Sequence, residues 1–125
     1  NTAPSVDLEI FFDYKSAEIT PAAEAALTPL GRALSDARLA GDKFLIAGHT
    51  DAKGGAEYNL TLSRQRAEAV RQFLIDKFGI DGAKLVATGM GLKHLKNAKQ
   101  PLAAENRRVQ IVNLSKDEAG KPGKN

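Results

Sequence analysis

Two spacings of apolar residues recur along the chain, and each predicts a different kind of element. Residues 6–12 alternate apolar with acidic side chains, the period of two that is typical of a half-buried strand. Residues 43–47 and 84–88 are short apolar runs, which also favour strands. Residues 107–114 return to alternation and predict a fourth strand.

Two further segments place apolar residues at helical spacing. The first begins at residues 20–21, a threonine N-cap followed by proline, and we expect Pro29 to kink it and Gly41 to end it. The second runs from about residue 57 to residue 78 and is closed by Gly79. The order β-α-β-α-β-β predicts an α+β sandwich, a small mixed sheet with the helices packed on one face.

The length and composition indicate one domain. A chain of 125 residues fits a single domain, which we assign to residues 6–114. Residues 1–5 are interpreted as a linker, and residues 115–125, rich in lysine, glycine and acids, as a disordered tail. Cysteine is absent, which excludes a disulfide framework, a thiolate zinc site and a cysteine nucleophile. No apolar run is long enough for a helix that spans a membrane.

The long helix carries an unexpected arginine. On a helical wheel Arg66 falls inside the apolar stripe, Asn59 lies on the same side, and Ser63 lies at the edge of the stripe. A buried arginine is costly unless it is paired and hydrogen-bonded. Two explanations remain open. Arg66 satisfies a strand-end carbonyl or a nearby carboxylate, or it lines a cleft beside the helix N-terminus that is suited to a carboxylate.

A carboxylate is predicted at the same edge. Asp51 closely follows the second strand, and ligands in open sheets favour the carboxyl ends of strands. Arg107 is expected on the same face of the last strand as Val109 and Ile111. An aspartate beside an arginine suits a ligand that carries both an ammonium group and a carboxylate. The alternatives are that Asp51 caps its own loop and that Arg107 is solvated.

The formal net charge of +3 is concentrated in one region. Residues 91–108 hold five basic side chains against one glutamate, and we expect this basic region to border the predicted cleft. Nucleic acid is not the expected partner, because aromatic residues make up only 6% of the chain and no stacking platform accompanies the basic side chains.

Four short blocks, taken in order, resemble the OmpA-like (OmpA/MotB) peptidoglycan-binding domain. They are Gly48-His49-Thr50-Asp51, Asn59-x-x-Leu62-Ser63-x-x-Arg66-Ala67, Gly89-x-Gly91 and Asn106-Arg107-Arg108-Val109. The segment Ile10-Phe11-Phe12-Asp13 and Ile19 also fit that family, so the resemblance covers residues 6–114. The chain departs from the family pattern at Lys15, near which many members have asparagine, and in the lysine-rich residues 92–101.

The resemblance implies a periplasmic domain that binds bacterial peptidoglycan non-covalently through the diaminopimelate of its peptide stem. It further implies that this binding anchors a cell-envelope protein to the wall. By this resemblance Asp51 would receive the ammonium group of diaminopimelate, and Arg66 its carboxylate. The other ligand-binding residues that it implies are Asn59, Arg107, Thr50 and Ser63. The parent protein could be an outer-membrane barrel, a lipoprotein or a flagellar stator protein, and a dimer stays open.

Other classes of function fit the residues less well. His49, Asp51 and Ser63 include the residue types of a hydrolase triad, but Ser63 lacks the context of a nucleophile elbow. His94 has no partner at ligand spacing, so we expect no metal and no cofactor. The chain is therefore predicted not to be an enzyme. An envelope protein-interaction domain without wall binding is the remaining alternative.

Overall fold

The computed structural model describes residues 7–39 and 41–114. Within these residues the strands are β1 (Asp7–Phe11), β2 (Phe44–Gly48), β3 (Leu85–Gly89) and β4 (Arg108–Asn113). The helices are α1 (Pro21–Leu34) and α2 (Ala56–Phe78), and short 3₁₀ turns occupy residues 37–39, 82–84 and 104–106. The predicted order of elements is confirmed. The predicted linker and tail lie outside the described residues.

The strands form one mixed sheet in the order β1-β4-β2-β3. The pairs β1–β4 and β4–β2 are antiparallel, whereas β2 and β3 are parallel. Both helices pack on one face, which confirms the predicted α+β fold class. The carboxyl ends of β1 and β2 and the start of β4 meet at one edge of the sheet.

The core lies between the helices and the sheet. Every second residue of the strands points inward, and Ile10, Ile46 and Ile111 are at most 1% exposed. The buried helical side chains that meet them include Leu27, Leu30 and Leu34 of α1 and Val70 and Leu74 of α2. Each such side chain contributes roughly 1.5–3 kcal/mol by burial. This apolar layer fixes how α2 lies across the sheet.

The predicted end of the first helix is wrong. The helix runs through Pro29 and stops at Leu34, well before Gly41. At Ser35 the side-chain hydroxyl and the backbone N–H both donate to the carbonyl of Gly31, at 2.9 and 3.2 Å. Serine hydroxyls compete in this way for backbone groups, so they favour helix ends. A 3₁₀ turn at residues 37–39 then leads toward Gly41.

α2 lies very close to the carboxyl end of β2. A β-carbon placed on Gly48, the last residue of β2, would collide with the backbone carbonyl of Ser63. Glycine is therefore required there by the close approach of helix and strand. This contact holds the first half of α2 against the sheet edge where β2 ends. Within the described part of the chain, neither helix has the length and apolar character needed to cross a membrane.

Candidate functional site

A cleft of about 380 Å³ opens at the sheet edge where β1 and β2 end and α2 begins. Its walls come from the loop after β1, the loop between β2 and α2, side chains of the first half of α2, and the residue before β4. The lining residues are Tyr14, Lys15, Asp51, Lys53, Gly54, Gly55, Tyr58, Asn59, Arg66 and Arg107. Its volume lies in the range of small-molecule binding sites.

Arg66 reaches the cleft from the middle of α2 and is fully buried. Its Nε donates to the carbonyl of Ser16 at 2.7 Å, Nη1 to that of His49 at 3.0 Å, and Nη2 to that of Asp13 at 2.9 Å. The first sequence explanation, a bond to a strand-end carbonyl, is thus observed. A guanidinium carries five N–H donors, so two remain. Arg66 also lines the cleft, so the position that the second explanation requires is observed too.

The charge of Arg66 is poorly compensated. Burial lowers the pKa of Arg66 to about 10, and the positive charge of Arg107 lowers that pKa further, against the opposing influence of Asp51. The guanidinium is still charged at neutral pH. A cation that has lost water and faces a second cation is stabilised by an anion beside it.

Asp51 and Arg107 form an ion pair inside the cleft. The Oδ2 of Asp51 lies 3.4 Å from Nη1 of Arg107, and the two side chains are only 6% and 18% exposed. The Oδ1 of Asp51 accepts from the backbone N–H of Lys53 at 3.0 Å, so the alternative of a loop-capping aspartate is also observed. Arg107 lies one residue before β4, and its Nε donates to the carbonyl of Phe12 at 3.0 Å. Each residue keeps a second contact besides the ion pair.

Asn59 fixes the loop that carries Asp51. Its side chain is 1% exposed, and its Nδ2 donates to the carbonyl of Lys53 at 3.0 Å. Gly55 is the N-cap of α2, and it places no side chain over the first amides of the helix. Those amides carry the partial positive charge of a helix N-terminus. The loop and the helix start therefore present a fixed, electropositive wall.

Thr50 and Ser63 lie outside the lining of the cleft. The N–H of Thr50 donates to the carbonyl of Gly91 at 3.0 Å. The Ser63 hydroxyl accepts from the N–H of Gly91 at 2.9 Å and donates to the carbonyl of Leu60 at 2.8 Å. The structure therefore brings together Asp51, Asn59, Arg66 and Arg107, while Thr50 and Ser63 hold the turn at Gly91 against α2 and β2.

The prediction that the basic region at residues 91–108 borders the cleft is wrong. Of the five basic residues between positions 91 and 108, only Arg107 lines the cleft. Lys96 and Arg108 both pair with Glu9 of β1 instead. Cation–carboxylate pairing across 87 positions of the sequence draws Lys96 away from the cleft.

Four side chains at the cleft were missed by sequence reasoning. They are Tyr14, Lys15, Lys53 and Tyr58. A usable signal existed for the first two, because they follow β1 at the same edge of the sheet that pointed to Asp51.

His49 supports the end of β2 by hydrogen bonding. Its Nε2 lies 3.1 Å from Oε1 of Gln110, and its backbone N–H donates to the carbonyl of Arg108. Burial lowers the pKa of His49 to about 4, and the positive charge of Arg108 adds to the shift. The ring is therefore neutral at neutral pH. Among residues 7–39 and 41–114, no three acidic or histidine side chains are grouped so that they could hold a metal ion.

Comparison with known proteins gives a family. The model of the OmpA family matches residues 11–108. The chain is 31% identical over 109 residues to the peptidoglycan-associated lipoprotein of Pseudomonas aeruginosa, covering 81% of this chain and 59% of that protein. The chain therefore spans less than two thirds of this relative.

Solved structures agree with the family match. The peptidoglycan-associated lipoprotein of Burkholderia pseudomallei superimposes with a TM-score of 0.71 at 31% identity, over 84% of this chain and 88% of that one. The cell wall anchor of the type VI secretion system (T6SS) of Pseudomonas aeruginosa gives 0.65 at 26% identity, over 87% and 80%. These relatives are named for association and anchoring, which confirms the prediction of a domain that is not an enzyme. The chain belongs to the OmpA family.

Proposed function

We propose that this domain binds peptidoglycan non-covalently and anchors a cell-envelope protein to the wall from the periplasm. The observation that carries the proposal is the cleft that joins a buried guanidinium, Arg66, to a nearly buried carboxylate, Asp51. Kinship with peptidoglycan-associated lipoproteins and with a cell wall anchor supports peptidoglycan-associated anchoring.

The proposed ligand group is the free end of diaminopimelate, which carries an ammonium group and a carboxylate. Asp51 receives the ammonium group, and the two spare donors of Arg66 receive the carboxylate, with Asn59 and Arg107 beside them. The Asp51–Arg107 contact at 3.4 Å is longer than a good charge-assisted hydrogen bond. A zwitterion can exchange this one long contact for two shorter ones, and that gain favours binding.

The same arrangement predicts selectivity between wall types. A lysine side chain ends in an ammonium group alone, so a lysine-type stem leaves the buried guanidinium of Arg66 without an anion. An unmet charged partner costs on the order of 2–3 kcal/mol, which corresponds to roughly a hundredfold in affinity.

A sedimentation assay with purified sacculi tests the proposal. The wild type, Asp51→Asn and Arg107→Gln are incubated with diaminopimelate-type and lysine-type sacculi, and circular dichroism verifies that each variant is folded. We expect the wild type to sediment with the diaminopimelate type and both variants to stay largely in the supernatant. Lys84→Gln, which lies outside the cleft, is the matched control and should sediment like the wild type. A wild type that stays in the supernatant overturns the function, and equal sedimentation with both wall types overturns the ligand.

A further inference from the structure

The cleft carries more positive charge than a zwitterion can balance. Four cationic side chains and one carboxylate line it, a net charge of +3. A head group with one ammonium group and one carboxylate adds no net charge. In the proposed complex Asp51 faces the ammonium group of the ligand, and the carboxylate of the ligand meets Arg66 with Arg107 beside it. The charges of Lys15 and Lys53 are then left over.

The two lysines are exposed at the rim of the cleft and lack acidic partners. Neither forms a salt bridge with any residue in the described ranges 7–39 and 41–114. Both ammonium groups instead lie near one ring, since Nζ of Lys15 is 5.8 Å and Nζ of Lys53 is 5.6 Å from the centroid of Tyr14. Cation–π contacts hold the two side chains but leave their N–H donors free. Two like charges gathered around one ring attract an anion.

The backbone at Lys15 is strained. Its φ is 59°, and among the described residues it is the one non-glycine residue with positive φ. Glycine and asparagine adopt this conformation readily, whereas a lysine is disfavoured there. Strained residues persist where the surrounding structure holds them, and they cluster at binding sites. The strain at Lys15 is therefore a second, independent sign that this side chain serves the cleft.

We propose that Lys15 and Lys53 form a second anion subsite, which binds a further free carboxylate of the stem peptide in addition to the one at Arg66. The inference rests on the proposed function and specifies its ligand as a stem peptide whose carboxylates are not amidated. Two carboxylates have the required chemistry: the α-carboxylate of the D-glutamate that precedes diaminopimelate, and the carboxylate at the C-terminus of a stem that ends in diaminopimelate.

Isothermal titration calorimetry with three synthetic peptides distinguishes these sources. The peptides are L-alanyl-γ-D-glutamyl-diaminopimelate as the free acid, the same peptide amidated at D-glutamate, and the same peptide amidated at its C-terminus. We expect one amide to bind the wild type about fivefold more weakly than the free acid, the size of one charge-assisted contact near the surface. The amide that is weakened identifies the carboxylate that the lysines hold.

The double variant Lys15→Gln/Lys53→Gln should bind all three peptides with the same reduced affinity. The matched control Lys77→Gln/Lys84→Gln removes the same charge outside the cleft and should keep the preference of the wild type. Equal binding of all three peptides to the wild type overturns the second subsite but leaves the proposed function in place. If the control loses the preference as completely as the double variant, long-range charge explains it and the subsite is wrong. Failure of every peptide to bind overturns both proposals.

Discussion

Two arginines of α2, Arg66 and Arg71, donate hydrogen bonds to backbone carbonyls outside the helix, but their surroundings differ. Arg66 donates to three carbonyls and is fully buried. Arg71 donates to the carbonyls of Gly82 and Leu85, both at 3.0 Å, and keeps 28% of its side chain exposed. Arg66 lines a cleft, whereas Arg71 rests on the turn into β3 beside Glu68. An arginine whose contacts are with carbonyls alone stabilises the fold. To bind a ligand, an arginine also needs unused N–H donors beside a cavity, and of these two only Arg66 lines the cleft.

The two arginines also differ in how their charge is compensated. Water and Glu68, at 3.9 Å, compensate the charge of Arg71, so its site needs no further anion. Arg66 is fully buried, and burial and the positive charge of Arg107 together lower its pKa, against the opposing influence of Asp51. Two arginines on one helix with similar hydrogen bonds therefore differ in their need for an anion.

Removing Arg66 should have the largest effect. Arg66→Ala removes the guanidinium donor from the carbonyls of Ser16, His49 and Asp13, although Asp13 still accepts from the N–H of Ser16 at 3.1 Å. It also opens a cavity between α2 and the loop after β1. We expect the free energy of unfolding to fall by about 3–5 kcal/mol, measured by urea denaturation. Arg66→Lys keeps the charge with a different donor geometry, and we expect it to fold but to sediment poorly with sacculi. A loss below about 1 kcal/mol for Arg66→Ala would show that the carbonyl contacts contribute little.

Acid should lower the free energy of unfolding through His49. The carbonyl of this residue accepts from Arg66, and its ring is neutral in the folded protein. The pKa of His49 is lowered to about 4 in the folded protein, whereas an unfolded histidine has a pKa near 6.5. Between these two pH values the unfolded chain binds a proton at His49 and the folded protein does not. The contribution of neutral His49 to the free energy of unfolding is fully present above pH 6.5. It is lost as the pH falls toward 4, by roughly 3 kcal/mol. Urea denaturation from pH 7.5 to 4.5 measures this, and His49→Gln should flatten the dependence. An equal slope in both proteins would assign the effect to other groups.

Arg71→Ala should cost less and leave binding unchanged. It removes two hydrogen bonds from a partly exposed site, so we expect a loss of about 1–2 kcal/mol in the free energy of unfolding. Sedimentation with sacculi should match the wild type. Weakened sedimentation in a folded Arg71→Ala protein would contradict the distinction between the two arginines.

The smallest effect is expected at Lys15, in the loop that Arg66 holds. Lys15→Asn puts a residue that tolerates positive φ in place of one that does not. The free energy of unfolding should rise by about 0.5–1 kcal/mol, read from urea denaturation, while binding of the unamidated peptide weakens. Lower stability would mean that the lysine is not strained at this position.

Much of the fold could be predicted because its signals are local. Period-two and helical spacings placed the strands and both helices, and glycine ended α2 at Gly79 as expected. Asp51 followed from its place after a strand, and Arg66 from its position on an apolar helix face. These inferences need only neighbours in the sequence.

Features that depend on distant residues were not predictable. The ion pair with Glu9 that draws Lys96 away from the cleft joins positions 87 apart, and the carbonyls of the loop at 13–16 meet Arg66 across about 50 positions. The carbonyl partners of Arg71 near β3 cannot be deduced from a helical wheel. The left-handed backbone at Lys15 has no sequence signal, since lysine is a poor choice for it.

The register of the outer strand has a practical consequence for attaching this domain to something else. Asp7 pairs with Val112, so the first residue of β1 and the end of β4 lie next to each other in the sheet. Phe11 pairs with Arg108 at the opposite edge, where the cleft lies. A tether joined to the start of β1 or to the end of β4 therefore exerts its force on the end of the sheet that lies opposite the cleft. Load applied through both ends of the described chain separates β1 from β4 one residue pair at a time, starting at the end of the strands farthest from the cleft.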